Sequence, residues 1–370
     1  MSQIKAMFIA GTQASRSSTQ SKPHIYKSSK CPPTTQPGKT HLGLPSQSDQ
    51  RPTQQPSPQP SSLFNPQHGR LTPATTCFKT PLSRSLNTPL ILGEDISGTV
   101  ISTGTAVTRF KASDRVLAFA QGAFRGPHMG GFQEYVVAEA SFTCLLPEDM
   151  EFEEGVVFPL GITTASHALF NKEFLALEKP GLEIEMGSMG KSVLIWGGAS
   201  VVGTNAIQLA CAAGLEVYAT ASERNFEYLK MLGVSRVFDY NSESVVDEIV
   251  AALDAPSCAG IFQAAGAEDS VKPCLEIAEK AMGNIFVVTT MPLVEGLVPE
   301  GVRAKMLFGD KHDDILEIWE KFLPQALVQQ KYLVAPKPFV IEKKGLEGIQ
   351  EGFDVLRKGV SAKKVVVVAH

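Results

Sequence analysis

The chain has 370 residues, of which 43% are hydrophobic, and its net charge is −4, which suffices for two modest domains with hydrophobic cores. No apolar run approaches the roughly 18 residues that span a bilayer, and residues 1–10 lack a signal-peptide core, so we expect a cytoplasmic protein that does not bind membranes. The six cysteines show no C-x-x-C motif and no regular spacing, which argues against a zinc knuckle or a disulfide framework and favours a reducing compartment.

Residues 1–88 differ in composition from the rest of the chain. They are rich in Ser, Thr, Gln and Pro, and Asp49 is the only acidic residue against ten Lys and Arg. Such a segment cannot bury enough apolar surface to offset its ordering entropy, so we predict that most of it is disordered. An acid-poor, Ser-rich stretch also suits an organellar transit peptide, although prolines would interrupt its amphipathic helix. Nucleic-acid binding is not expected, because aromatic interleaving and a dense basic cluster are both missing.

A β-rich region begins at Pro89. Short apolar stretches, separated by turns that contain glycine, predict strands at residues 91–101, 116–119 and 133–137. Their lengths indicate a small barrel-like domain. Residues 158–170 then predict a helix with a proline near its start, and a polar connector follows at residues 173–191.

From Ser192 onward, strand-like and helix-like segments alternate. The predicted strands are residues 192–196, 215–220, 234–240, 260–266 and 284–289. The predicted helices are residues 204–210, 245–253, 314–322 and 346–356, and the chain ends with a β-branched strand at 364–368. This alternation predicts an α/β fold with a doubly wound parallel sheet.

The turn after the first strand of this sheet carries a dinucleotide-binding pattern. From Gly198 it is G-x-S-x-x-G, with Ser200 where the middle glycine usually stands and Gly203 at the end. Gly198 would allow the tight turn, and Gly203 would let helix and strand pack closely. The helix start would offer free N–H groups to a pyrophosphate, and Ser200 could donate its hydroxyl to a phosphate oxygen. An ordinary βα turn is the alternative.

The residues after the second strand of this sheet favour NADP over NAD. Where an acidic residue would bind the ribose 2′-hydroxyl of NAD, the chain has Ser222, followed by Glu223, Arg224 and Asn225. Small polar groups and a guanidinium suit a 2′-phosphate, which arginine can bind through two parallel hydrogen bonds. Glu223 is the counter-argument, since its carboxylate could reach the ribose.

The order of these motifs resembles the medium-chain dehydrogenase/reductase family over residues 89–370. The resemblance rests on GEDISG at 93–98, DRV at 114–116, GFQEY at 131–135, LGITTA at 160–165 and the glycine turn. Within that family the chain is similar to the zinc-independent branch of quinone oxidoreductases and fungal trans-acting enoyl reductases. The similarity to this branch lies in residues 158–165, 222–225, 238–240 and 357–359.

The resemblance implies two domains with the active site in the cleft between them. A GroES-like, partly open β-barrel domain would comprise residues 89–165 and 331–370, and a Rossmann NADP-binding domain residues 166–330. Residues 1–12 resemble the family's first strand. The barrel strands that should follow it are missing from the sequence, so we expect an incomplete barrel.

The glycine turn and the resemblance together give the candidate site residues. NADP would be bound by Gly198, Ala199, Ser200, Val201, Val202, Gly203, Ser222, Glu223, Arg224, Asn225, Tyr240, Ala264, Ala265, Val360 and Ser361. The substrate would lie beside the nicotinamide, against Phe158, Pro159, Leu160, Gly161, Ile162 and Ala165. Thr163 and Thr164 are the candidate catalytic residues, because their hydroxyls could hydrogen-bond the nicotinamide amide or an enolate. The alternative is that both threonines only pack the helix start.

No metal is expected. In the zinc alcohol dehydrogenases a His-Glu pair follows the glycine that corresponds to Gly93, whereas Glu94 and Asp95 stand there. The four-cysteine structural lobe of those enzymes is absent too, and the seven histidines of this chain form no H-x-x-H or H-E pair. We interpret Glu94 and Asp95 as a structural turn.

The predicted activity is hydride transfer from NADPH to a C=C bond conjugated to a carbonyl, in an enone or enoyl thioester, or to a quinone. The sequence shows no convincing general acid, and solvent could supply the proton. The expected partners are the small-molecule substrate and a polyketide synthase, and the protein would be a monomer or homodimer. The alternative, prompted by the missing barrel strands, is a catalytically impaired dinucleotide-binding remnant or an accessory subunit of a polyketide synthase.

Overall fold

The fold is seen in a computed structural model, which describes residues 2–10, 91–253, 257–265, 268–281, 283–294, 296–307 and 313–369. For residues 2–10 it describes the backbone. All these ranges belong to one compact unit of the chain. Apart from residues 2–10, the segment 1–88 lies outside the described residues, so its disorder stays a prediction, as do the exact domain boundaries.

The described strands form two sheets. In chain order they are β1 (Ser2–Ala10), β2 (Asp95–Thr103), β3 (Arg115–Phe119), β4 (Tyr135–Ala138), β5 (Thr143–Leu145), β6 (Ser192–Trp196), β7 (Glu216–Ala221), β8 (Arg236–Asp239), β9 (Cys258–Gln263), β10 (Val287–Thr289), β11 (Ala304–Met306), β12 (Lys337–Val340) and β13 (Lys363–Val367). The first sheet contains β1 to β5, β12 and β13, and the second contains β6 to β11. The chain therefore leaves the first sheet to build the second and returns with its last two strands.

The helices connect the strands and cover the sheets. In chain order they are α1 (Gly122–Arg125), α2 (Phe152–Gly155), α3 (Pro159–Phe170), α4 (Val201–Ala212), α5 (Phe226–Met231), α6 (Val245–Ala252), α7 (Val271–Lys280), α8 (Leu323–Val328) and α9 (Gly348–Lys358). Helices α4 to α7 are the crossovers that parallel strands require. Among the described helices, none has the length and apolar character needed to cross a bilayer.

The second sheet is parallel throughout, with the strand order β8-β7-β6-β9-β10-β11. Every residue of β6 is buried, as expected for a central parallel strand. The chain starts at β6, builds outward through β7 and β8, and then crosses to β9 on the other side of β6. Doubly wound sheets bind ligands at this reversal, outside the carboxyl ends of the strands. The predicted doubly wound sheet is confirmed.

The first sheet is the barrel-like part of the molecule. β1 pairs antiparallel with β2 along one edge and with β4 and β13 along the other. The residues that resemble the family's first strand thus form a strand at the centre of this sheet. The path of pairing ends at β5 and β12, which do not pair with each other within the described residues, so the sheet is partly open.

One hydrophobic cluster joins the two sheets. It includes Leu117 of β3, Ile162 of α3 and Val193 of β6, which have no exposed surface. The rings of Phe142 and Trp319 meet edge to face in the same cluster, with their centroids 5.9 Å apart. Because the two sheets share this core, the residues that line the space between them are held in fixed positions.

The predicted helix at residues 314–322 is irregular in the structure. Asp313–Ile315 is a 3₁₀ turn, Ile318–Phe322 is π-helical, and α8 follows directly. Pro324 gives the reason, because it has no N–H for the carbonyl one turn earlier and its ring crowds that carbonyl. The hydrogen-bond ladder widens in the preceding turn instead.

Candidate active site

The glycine turn follows β6 at the centre of the second sheet. Gly197 has a φ of +85°, a left-handed conformation that favours glycine. Its N–H donates to Thr220 Oγ1, and the N–H of Gly198 donates to the Thr220 carbonyl, both at 2.9 Å. The turn glycine is therefore Gly197 and not the predicted Gly198. Gly198 is needed for packing, because a Cβ there would lie 2.9 Å from Leu229 Cδ1.

Helix α4 begins directly after this turn, and Ser200 is its N-cap. Ser200 Oγ accepts the N–H of Gly203 and donates to the carbonyl of Ala264, both at 2.9 Å. The predicted donation to a phosphate oxygen would have to replace the bond to Ala264, and it stays a prediction. The N–H groups of Val201 and Val202 have no acceptor among the described residues. Free N–H groups at a helix N-terminus favour phosphate.

Gly203 has the packing role that the sequence pattern predicts. A Cβ at this position would overlap the carbonyl oxygen of Gly197 and would lie 2.8 Å from the Cα of Gly198. Any side chain would push α4 away from β6 and from the turn. Gly203 thus keeps the N-terminus of α4 against the end of the strand.

A cavity of about 240 Å³ lies at the carboxyl ends of the central strands, and we call it the nucleotide cavity. Its wall contains Ala199 after β6, Ser222 after β7, Tyr240 after β8 and Ala265 after β9. Pockets that bury drug-sized ligands measure roughly 300–1,000 Å³. The nucleotide cavity therefore suits one end of a dinucleotide.

A second cavity, of about 490 Å³, lies at the opposite end of the same strands. Ser192 and Glu216 line it at the starts of β6 and β7, and Ser235 lines it just before β8. Ligands of doubly wound sheets bind outside the carboxyl ends of the strands. We therefore assign the nucleotide to the first cavity although the second is larger.

Asn225 links two other predicted cofactor residues. Its Nδ2 donates to Ser222 Oγ and to Ser361 Oγ, each at 3.1 Å. Ser222 and Asn225 follow β7 of the second sheet, whereas Ser361 precedes β13 of the first sheet. Asn225 is 8% exposed, so its amide is a fixed part of the wall that joins the two sheets.

Arg224 gives the nucleotide cavity a positive charge. Its side chain is exposed, lines the cavity and makes no ion pair with a carboxylate of the described residues. Glu223 is exposed but does not belong to the wall, and Asp269 is the acidic residue that does. The guanidinium is therefore available to bind an anion, while the choice between NADP and NAD stays a prediction.

Eight of the predicted cofactor residues line the cavity: Ala199, Ser200, Ser222, Arg224, Asn225, Tyr240, Ala265 and Ser361. The others do not line it, namely Gly198, Val201, Val202, Gly203, Glu223, Ala264 and Val360. Sequence reasoning missed the wall residues Trp196, Gly197, Thr220, Ala221, Asn241, Asp269, Ser270 and Pro273. The missed residues end a strand, follow one or lie at the start of the next helix, so the rule for ligand sites of parallel sheets could have found them.

A buried ion pair holds the start of α3, the helix that carries the predicted substrate and catalytic residues. Phe158 cannot cap the helix with its side chain and Pro159 has no N–H, so Leu160 offers the first free N–H. Asp95 at the start of β2 accepts it, with 2.6 Å between the nitrogen and Oδ1. Asp95 Oδ2 also pairs with Lys364 Nζ of β13 at 2.8 Å, and both side chains are at most 6% exposed. The residue interpreted as part of a structural turn thus caps a helix from another segment.

The start of α3 packs against the start of α4. A Cβ on Gly161 would lie 2.5 Å from Asn205 Nδ2 and 2.9 Å from Val201 Cγ1, so this approach requires glycine. Two helix N-termini consequently lie side by side. A dinucleotide that passes along the start of α4 would reach the start of α3 with its other end.

Most of the predicted substrate residues are buried. Those buried in the structure are Phe158, Pro159, Gly161, Ile162 and Ala165. Leu160 keeps partial exposure, so it is the predicted substrate residue that a ligand can reach directly. Substrate contact by this segment stays a prediction.

The two predicted catalytic threonines differ in their surroundings. Thr163 is 3% exposed, and its Oγ1 donates to the carbonyl of Pro159 at 2.7 Å. This bond favours the alternative that Thr163 serves the helix start. Thr164 is partly exposed, and its hydroxyl makes no hydrogen bond to the described residues, so its catalytic role stays a prediction.

Comparisons with known proteins agree with this architecture. The model of the alcohol dehydrogenase GroES-like domain matches residues 73–148, and that of the zinc-binding dehydrogenases matches residues 201–319. Dehydrogenase azaJ from Aspergillus niger is 40% identical over 287 residues, which cover 75% of this chain and 82% of the relative. The chain belongs to the medium-chain dehydrogenase/reductase superfamily.

Two further members of the superfamily are similar to the chain. Trans-enoyl reductase himH from Aspergillus japonicus is 36% identical over 288 residues, which cover 76% of this chain and 82% of the length of the relative. The structure of the quinone oxidoreductase from Coxiella burnetii is 25% identical, with a TM-score of 0.56 over 78% of this chain and 82% of its own. The predicted family and the predicted fold class, a GroES-like barrel domain with a Rossmann domain, are confirmed. The protein is an oxidoreductase of a superfamily whose dehydrogenases bind a nicotinamide dinucleotide.

The described residues of this superfamily member provide groups that suit a dinucleotide and do not provide a cluster of metal ligands. The turn at Gly197, the free N–H groups of α4 and the nucleotide cavity together form a cradle for a dinucleotide. No group of three or more His, Cys, Asp or Glu side chains in the described ranges could hold a metal ion. Burial also raises the pKa of Cys144 and Cys211 to about 12, which disfavours the thiolate that zinc binds.

Proposed function

We propose that this oxidoreductase uses NADPH to reduce a C=C bond conjugated to a carbonyl, in an enone or enoyl thioester, or to reduce a quinone. One observation carries the proposal. The nucleotide cavity is lined by Ser200, the N-cap of α4, and by the unpaired guanidinium of Arg224, and α4 begins beside it with the free N–H groups of Val201 and Val202. This arrangement suits a ligand with a pyrophosphate and a second phosphate on its ribose.

The preference for NADPH over NADH is supported by the charges of the cavity wall. Arg224 stands beside Ser222 and Asn225, which supply small polar groups for the same phosphate. A guanidinium binds a phosphate through two charge-assisted hydrogen bonds. Glu223 is not part of the wall, and Asp269 follows β9, two strands away from Ser222 in the sheet order.

The chain's own residues bind and orient the reactants, while a bound NADPH supplies the hydride. Gly161 brings α3 against α4, so the nicotinamide end of the cofactor lies at the start of α3 in this proposal. Leu160 and Thr164 are the partly exposed residues there. The unbonded hydroxyl of Thr164 is suited to donate to the substrate carbonyl oxygen, where negative charge develops as hydride adds to the β-carbon.

We also propose that the protein acts in the cytoplasm on an enoyl thioester carried by a polyketide synthase. The described cysteines Cys144, Cys211, Cys258 and Cys274 are free thiols, as is usual in a reducing compartment. The relative named as a trans-enoyl reductase is more similar in sequence than the quinone oxidoreductase is. For this reason the thioester is the first substrate to test.

The decisive experiment follows the absorbance of NADPH with the full-length protein. A crotonyl thioester, a simple enone and a naphthoquinone are offered separately, with NADH as the matched control for each. We expect NADPH to be oxidised with the thioester and NADH to be used much more slowly. If none of the three acceptors is reduced, the protein is not this reductase. Equal rates with NADH would overturn the cofactor preference and leave the reduction in place.

A further inference from the structure

The proposed reduction needs a proton as well as a hydride. Hydride addition to the β-carbon leaves an enolate, and a proton must then reach the α-carbon. We propose that the carboxyl group of Glu94 donates this proton. The inference rests on the proposed reductase function and names the acid of the same site.

Glu94 is the neighbour in sequence of Asp95, which holds the start of α3, where the nicotinamide end lies in this proposal. It directly precedes Asp95, whose Oδ1 accepts the N–H of Leu160 at the start of α3. The next residue of that helix, Gly161, packs so closely on Val201 that a Cβ would lie 2.9 Å from its Cγ1. A ligand that runs from the start of α4 to the start of α3 therefore ends at the helix start that Asp95, the residue after Glu94, holds.

The backbone at Glu94 is held by neighbouring segments of the first sheet. Its carbonyl accepts the N–H of Ala120 at 2.8 Å, and the carbonyl of Gly93 accepts the N–H of Gly131 at 2.7 Å. Gly93 has a φ of +89°, and the ring of Phe132 occupies the place where its Cβ would lie. The acid is thus presented from a fixed loop, as protonation of a single carbon atom requires.

The fold does not use the carboxyl group of Glu94. The group makes no hydrogen bond and no ion pair with the described residues, and the side chain is half-buried. Gln121, which follows Ala120, is 1% exposed, and its Oε1 has no hydrogen-bond partner in the described part of the chain. Buried polar atoms are nearly always hydrogen-bonded. An acid and a buried amide oxygen without partners, on two segments that the hydrogen bond from Ala120 N–H to the Glu94 carbonyl joins, indicate a site that a ligand completes.

The surroundings of Glu94 keep a proton on it near neutral pH. Burial and the negative charge of Asp95 raise the pKa of Glu94 to about 7, although the positive charge of Lys364 acts in the opposite direction. Asp95 and Lys364, themselves paired at 2.8 Å, are the charged groups that face it. A general acid is most effective when its pKa lies near the working pH.

The proton transfer balances without a further reactant. The O–H bond of Glu94 breaks while a C–H bond forms at the α-carbon, and the enolate oxygen becomes a carbonyl oxygen again. Glu94 is left as a carboxylate, which regains a proton from water because the side chain is partly exposed. NADPH provides the hydride, so each saturated product consumes one NADPH and one solvent proton.

Replacing the acid by an amide of the same size tests the proposal. In Glu94→Gln we expect kcat/KM for the crotonyl thioester to fall roughly 10²- to 10⁴-fold, the range of general acid catalysis, while NADPH affinity changes little. In the wild type, kcat/KM should fall as the pH rises through about 7, and the variant should lose this dependence. Glu342→Gln, at an exposed position, is the matched control and should behave as the wild type.

A second measurement reads the acid directly in the free protein. The infrared difference spectrum between acid and alkaline pH should contain the C=O band of a protonated carboxyl with a midpoint at pH about 7. The band should be present in the wild type and in Glu342→Gln and missing from Glu94→Gln. An unchanged or higher thermal midpoint of Glu94→Gln shows that the variant is folded.

The outcomes separate this inference from the function on which it rests. If the wild type does not oxidise NADPH with any of the three acceptors, both the proposed function and the donor role of Glu94 are overturned. A wild type that turns over, with Glu94→Gln equal to it in rate and pH dependence, overturns the donor role alone. Absence of the infrared band from the wild type also overturns the donor role. A slower variant that loses both the pH dependence and the band supports it.

Discussion

The nucleotide cavity and the start of α3 are built in different ways. The cavity wall consists mainly of residues that follow neighbouring strands of one parallel sheet, and the backbone of a single turn organises it. The start of α3 is instead assembled from Asp95, Leu160 and Lys364, which come from three distant parts of the chain. Binding of the nucleotide is therefore a property of a local motif, whereas the reacting end depends on how the two sheets meet.

The ion pair at the start of α3 gives the largest expected effect. Lys364→Met leaves the carboxylate of Asp95 buried without its partner, so we expect a loss of about 3–5 kcal/mol in the free energy of unfolding, measured with urea. Lys358→Met, at an exposed lysine of the neighbouring helix, is the control and should change little. The double variant Asp95→Leu/Lys364→Met should recover much of the loss. A Lys364→Met protein as stable as the wild type contradicts our account of this region.

The next largest effect is expected in the pH dependence of the free energy of unfolding, to which Glu94 near the start of α3 contributes. The pKa of Glu94 is raised in the folded state, so its contribution to stability is fully present below pH 4.5 and is lost as the pH rises through about 7. We expect roughly 2 kcal/mol, less than the full shift implies because the side chain is partly exposed. Glu94→Gln should gain stability relative to the wild type across this window in urea unfolding at a series of pH values. A stability difference that does not vary with pH argues against the raised pKa.

In the nucleotide cavity, a single charge should set the choice of cofactor. Removal of the guanidinium in Arg224→Ala costs charge-assisted hydrogen bonds, so we expect the Kd of NADPH to rise roughly 10- to 100-fold, with that of NADH unchanged. Glu223→Gln, at the adjacent residue outside the wall, is the control and should leave both affinities as they are. Calorimetry measures all four values. An equal loss for NADH would mean that Arg224 supports the wall and does not read the phosphate.

The smallest expected effects are those of replacing the two neighbouring threonines, Thr163 and Thr164. Thr163→Val removes the hydrogen bond to the Pro159 carbonyl and should lower stability by about 0.5–1.5 kcal/mol with little effect on kcat. Thr164→Val should do the reverse, changing stability by less than about 0.5 kcal/mol and lowering kcat/KM. Thermal unfolding and steady-state kinetics on the same preparations check both. Equal effects of the two variants would remove the distinction between them.

The fold and the local motif could be predicted from the sequence because their signals are close together along the chain. The apolar run of β6 predicts the strand with its observed limits, and Gly203 has the packing role expected of it. The choice between Gly197 and Gly198 as turn residue could not be made, since it depends on the hydrogen bonds that both make to Thr220. The sequence alone does not tell which of two adjacent glycines forms the turn, because their hydrogen-bond partner is not known from it.

The arrangement at the start of α3 could not be predicted from the sequence, because its interactions connect distant segments. Asp95 acts on α3 through a hydrogen bond, and its partner Lys364 stands near the end of the chain. The raised pKa of Glu94 comes mainly from burial, which no sequence pattern displays, and in addition from the charge of the adjacent Asp95. The hydrogen bond from the Ser200 hydroxyl to the Ala264 carbonyl was not predictable for the same reason, since Ala264 follows a different strand.

The most direct test of the central claim is a calorimetric titration of the wild type and Gly203→Ala with NADPH. The account expects the wild type to bind one NADPH more tightly than NADH, and Gly203→Ala to lose binding, because its Cβ would overlap the Gly197 carbonyl oxygen. Gly181→Ala is the control, since its Cβ would meet only the side chain of Ile184 and no backbone atom, and it should bind as the wild type does. Unaltered NADPH binding by Gly203→Ala, or no binding by the wild type, would contradict the assignment of the nucleotide to this turn.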